Sequence, residues 1–147
     1  MTAEFLGFGV RSEGHVAFFD DAGTCVEVAV GLERRFDNTL NLQIEAFHHG
    51  AGAARPTEPS CAPASMPNLY LGRYQVAAGA GYEITPLLQG QALVLVDASD
   101  GSAQGSIYLV YSLHDEIEAA LVANVPLRQG ERGRIPFVAD IELRTYF

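Results

Sequence analysis

His48, His49 and Cys61 are the side chains best equipped for chemistry in this 147-residue chain. They fall in the stretch "EAFHHGAGAARPTEPSCAPASMPNL" (45–69), with four of the seven prolines. A cysteine beside an imidazole can form a thiolate–imidazolium pair, and Asp115, next to His114, could orient an imidazole. No nucleophile elbow or other catalytic signature accompanies them, so the reading leans away from an enzyme. Zinc is disfavoured too: adjacent histidines on an extended chain point in opposite directions, and the spacing matches no tight structural zinc motif.

A second group is richer in oxygen. "VDASDGSAQGS" (96–106) collects Asp97, Ser99, Asp100, Ser102 and Gln104 within one turn. Carboxylates and exposed carbonyls so gathered are what a hard cation such as calcium requires, with Asp97 and Asp100 as the metal ligands. The same residue types are also those that turns prefer for purely local reasons. The final bidentate Glu of the helix-flanked calcium loop is absent.

Other chemistries lack their signatures. "GFG" (7–9) has no following helix, and "GAGAA" (50–54) has no Lys-Ser/Thr partner, so no phosphate cradle is predicted. A net charge of −9 repels polyanions, which argues against nucleic acid and against anionic membranes. All nine basic residues are Arg. Genomic codon bias explains that, or clusters such as Arg34–Arg35 and Arg128/Arg132/Arg134 hold a carboxylate or phosphate bidentately. No apolar run approaches the roughly 20 residues of a membrane helix. "MTAEFLGFGV" lacks a basic region followed by a long apolar stretch. The expectation is therefore no membrane contact and a cytoplasmic product as synthesised. There Cys25 and Cys61 stay free; export would let them pair.

The elements that must position these groups are strands. Apolar residues alternate with a period of two along nearly the whole chain, as in "TLNLQIEAF" and "FVADIELRTYF". "QALVLVDA" is apolar on both faces. Turn signals at 20–23, 77–81, 98–102 and 128–134 separate strands at 4–10, 14–19, 25–31, 39–47, 69–76, 82–88, 91–97, 105–113, 117–125 and 135–146. The segment 114–123 has helical propensity, yet its alternation favours a strand. Pro86 and Pro126 suit strand ends or edges. The expected fold is one all-β domain over 1–147: an antiparallel sandwich or jelly roll of nine to ten strands, or a closed barrel, with a long loop at 48–68.

Three stretches in this order, "SEGHVAFFDDAGTCVEVAVG" (12–31), "SCAPASMPNLYLGRY" (60–74) and "LLQGQALVLVDASDGSAQGSIYLV" (88–110), resemble the soluble bacterial galactophilic lectins of the PA-I type. The resemblance implies a β-sandwich that binds galactose-type sugars through one bridging calcium. By position, the loop around Asp97 and Asp100 would hold calcium and sugar hydroxyls, and His48–His49 would contact the sugar. Gln104 stands where that family has paired Asn, and Phe36 falls near its Tyr ligand.

The function expected is a non-enzymatic binding module for carbohydrate, using His48, His49, Phe36, Asp97, Asp100 and Gln104, with calcium as cofactor. With no Trp in the chain, the sugar platform would be Phe36, Phe47 or Tyr82. The alternative is an assembly protein without a small-molecule site; a small jelly-roll enzyme ranks third. The low charged fraction, 18%, points to homo-oligomers in either of the first two cases.

Overall fold

The computed structural model describes residues 2–5, 7–20, 23–52, 61, 72–130 and 136–146. Most of the predicted long loop lies outside the described residues. Among the described residues nine strands follow one another: β1 (Thr2–Phe5), β2 (Phe8–Phe19), β3 (Gly23–Arg35), β4 (Asn41–His49), β5 (Tyr74–Thr85), β6 (Leu88–Asp97), β7 (Ala103–His114), β8 (Ile117–Arg128) and β9 (Val138–Thr145). They form one antiparallel sheet in sequence order, and each touches only its neighbours in the chain. The sheet is not closed: β1 and β9 do not meet. No second sheet packs on it among the described residues.

Alternation marks most strand segments but misplaces several boundaries: expected strand 4–10 crosses the turn at Gly7, and expected strand 82–88 crosses the turn at Pro86–Leu87. "AAGAG" (77–81), expected as a turn, lies inside β5, where Ala77 to Gly81 pair with both β4 and β6. The expected gap at 11–13 is likewise continuous strand within β2. Of segment 114–123, where alternation favoured a strand, residues 117–123 lie in β8 and 115–116 form the turn before it. Pro126 is not at a terminus; it sits at the register shift where β8 bulges against Ala103 and Gln104, a position that tolerates a missing N–H.

Register divides the residues into two surfaces. One row across the sheet reads Val10, Leu32, Ile44, Ala78, Val94, Gly105, Val125. The next row, on the opposite face, reads Gly9, Glu33, Gln43, Gly79, Leu93, Ser106, Asn124, Val138. A further row on that second face reads Arg11, Gly31, Glu45, Ala77, Leu95, Gln104. The first face is aliphatic. Excluding the bulged strand ends, Arg34 is its one Arg, Asp or Glu across β2–β9.

The sheet curls around its polar face. A cleft of about 1060 Å³ on that side is lined from Glu4 and Gly9 at one end of the sheet to Tyr108 and Val122 near the other. Small residues permit the curl, because a concave surface has less room per side chain. Arg11 reaches across Gly31 to Glu45 at 2.7 Å. Gln43 folds over Gly79, where an added Cβ would lie 2.9 Å from Nε2.

The usual order of burial is therefore inverted. The buried polar residues His49 and Gln75 lie on the concave face, whereas Val28, Val30, Leu32 and Ile44 are about 40% or more exposed on the convex one. Ile141 reaches 79%. Among the described residues no large side chain is fully buried. Covering a Val, Leu or Ile is worth roughly 1.5–3 kcal/mol, and in water this sheet leaves that gain unrealised along its whole outer surface.

Candidate functional site

The two ends of the sheet differ. On one, the hairpins turn tightly, at Gly7, 36–40, Pro86–Leu87 and Asp115–Glu116. On the other the connections at 20–22, 50–73, 98–102 and 129–137 include all the long ones. The chemistry-bearing residues gather at this loop end.

His49 ends β4 on the concave face, 7% exposed. Its Nδ1 lies 2.6 Å from Glu27 Oε1 of β3, and His15 Nδ1 of β2 approaches the other oxygen of that carboxylate at 3.7 Å. Phe47 stacks on the His49 ring at 5.8 Å between centroids. Gln75 and Asp97, paired across β5 and β6, continue the same face, and Gln75 is buried. Beside them Cys25 of β3 is joined to Cys61 by a disulfide. The pairing closes the question that the sequence left open for the two thiols.

Above this row the β6–β7 turn is tied by its own polar groups. The Ser99 N–H donates to Asp97 Oδ1 and the Ser102 N–H to Asp100 Oδ1, both at 2.8 Å. Ser99 Oγ accepts from the N–H groups of Arg73 and Tyr74, and Arg73 Nε donates to Gly52 O at 3.1 Å. Asp97 packs against the backbone of Gly72, which leaves no room for a Cβ there, and Asp100 packs in the same way against Gly130. The two carboxylates thus adjoin different loops. Among the described residues no three His, Cys, Asp or Glu side chains are grouped to hold a metal ion.

The expected ligand set is divided. His49, Asp97 and Asp100 share the loop end. His48 is on the convex face, its ring 5.2 Å from Tyr74. Both histidines belong to strand β4 and not to the loop. Gln104 lies on the concave face, its Nε2 3.5 Å from Asn124 Oδ1, which also accepts from Ser106 Oγ at 2.6 Å. Phe36 lies at the opposite end, in the β3–β4 turn, with the Arg34 guanidinium 4.9 Å from its ring centroid. Sequence reasoning overlooked Glu27, His15 and Gln75. Their common face with His49 is readable only once the register of β2–β5 is known.

The convex face has its own pattern. Aliphatic residues fill mid-strand, and aromatic ones stand towards both ends: Phe18 and Tyr74 at the loop end, Phe8, Tyr82 and Tyr111 at the turn end. On β5, Tyr74 and Tyr82 bracket Val76, Ala78 and Ala80. Comparison with family models, with curated proteins and with solved structures finds no match to this chain.

Proposed function

We propose that this chain forms a wall of a transmembrane β-barrel, with its polar concave face towards a lumen and its apolar convex face towards lipid. The observation that carries the reading is the inverted amphipathicity of a curled sheet: apolar outside, polar and partly buried inside. Spanning barrels have this arrangement, together with short turns at one end, longer loops at the other and aromatic girdles on both rims. Strand length agrees for β2, β5, β7 and β8, of twelve residues each, and for β3, of thirteen. Twelve residues at about 3.3 Å each, tilted by about 40°, rise roughly 30 Å, the thickness of a bilayer's hydrocarbon core.

Lipid suits this surface better than a second copy does. Two convex surfaces meet along a narrow strip and leave most of each exposed, whereas a fluid covers a curved surface entirely. The long apolar run that marks a membrane helix is not required of strands, so the lack of such a helix among the described residues is neutral here. The disulfide fits an oxidising compartment. β1 and β9 run in the same direction, so an all-antiparallel ring would need an odd number of further strands. The sandwich of the sequence reading would instead require a second sheet against the convex face.

The test is fractionation. Expressed with an export signal, the protein should stay with membranes after alkaline carbonate extraction and require detergent for release. A monodisperse β-rich monomer in detergent-free buffer would contradict the reading. A second function, recognition of a polar ligand such as a sugar at the loop end, is favoured by the shared rim of His49, Gln75 and Asp97. Glycan binding lost in His49→Ala would support it.

A further inference from the structure

Arg34 is out of place. Excluding the bulged strand ends, it is the one Arg, Asp or Glu on the apolar face of β2–β9, and it stands at the turn-end rim, one residue before the end of β3. Its guanidinium carbon lies 4.9 Å from the ring centroids of both Phe8 and Phe36. The rings attract the positive charge and fix where it sits. They offer no acceptor to the N–H groups in the guanidinium plane, of which Arg has five. Among the described residues no carboxylate forms an ion pair with Arg34. A donor set at the turn-end rim, where Tyr82 and Tyr111 also stand, suits the phosphate layer of a bilayer.

We infer that Arg34, held over Phe8 and Phe36, binds the phosphate of a phospholipid headgroup at the turn-end interface. The inference rests on the barrel-wall reading, because only a bilayer brings headgroups to that rim. Two in-plane N–H groups would donate to two phosphate oxygens, the bidentate geometry for which Arg is suited and Lys is not. The two rings, each 4.9 Å from the guanidinium carbon, keep the charge in place. Neighbouring Arg35 alternates onto the concave face and takes no part.

The experiment uses the full chain in a phosphate-free maltoside detergent, titrated with phosphatidylglycerol and followed by native mass spectrometry. The parent should retain lipid, and Arg34→Gln should bind it about tenfold more weakly, the loss expected for one charge-assisted hydrogen-bonded pair. Arg34→Lys should fall between them, and Arg35→Gln should match the parent. Dioleoylglycerol, which lacks the phosphate, should not compete. Equal retention by the parent and Arg34→Gln, or no retention by the parent, overturns the inference while leaving the barrel reading intact. Failure of the parent to enter micelles at all overturns the barrel reading instead.

Discussion

Leu32 and Glu33 are neighbours on β3 that belong to different surfaces: Leu32 stands opposite Ile44 on the convex face, Glu33 opposite Gln43 on the concave one. The same division runs through every strand of the sheet, and it makes adjacent substitutions unequal. Under the barrel-wall proposal, Val94→Arg places a charge at mid-strand against lipid and should destabilise the protein in a bilayer by about 2–4 kcal/mol. Leu93→Arg, one residue earlier and facing the cleft, should cost less than about 1 kcal/mol. Urea unfolding from lipid vesicles measures both. Equal penalties would remove the distinction between the faces.

The Cys25–Cys61 disulfide closes a 36-residue separation and anchors part of the long connection to the start of β3. Cys61→Ser should lower stability by roughly 2–4 kcal/mol, chiefly by freeing the unfolded chain. Intact-mass analysis after alkylation should find no free thiol in the parent. Two alkylated cysteines in protein recovered from an oxidising compartment would contradict the pairing.

Tyr146 follows β9, and its hydroxyl donates to Glu118 at 3.0 Å, an interaction that raises its pKa above the ordinary 10. The folded state thus favours the protonated phenol. The resulting stabilisation is complete below pH 10 and is lost as pH rises through the elevated folded value. Ultraviolet titration of tyrosinate, read as the difference between parent and Tyr146→Phe, should give a midpoint above that of a free tyrosine. Glu118→Gln should bring it down.

Much of the fold was legible because side-chain alternation depends only on local geometry. It located most strand segments and favoured a strand over a helix at 114–123, where Ile117, Ala119 and Leu121 recur with period two and lie in β8. It failed at Ala77–Gly81: a glycine-rich run reads as a turn, and only register shows Gly79 giving way to Gln43. The site was less legible. His49 was visible, but Glu27 and His15 join it through pairings between strands that no local pattern encodes. The largest gap concerned orientation. Alternation shows that one face is apolar, yet it does not tell which way the sheet curls. Under the habit that apolar faces turn inward, these residues implied a sandwich core; the curvature turns them outward.

The chain contains no Trp, so a single introduced indole reports its own surroundings without background. Val94 and Leu93 are successive residues of β6 at nearly equal depth on opposite faces. In vesicles of brominated phospholipid, the fluorescence of Val94→Trp should be strongly quenched. That of Leu93→Trp should respond to the bromine weakly and to aqueous acrylamide readily. Quenching of Val94→Trp by acrylamide but not by bromolipid would contradict the assignment of the convex face to the membrane.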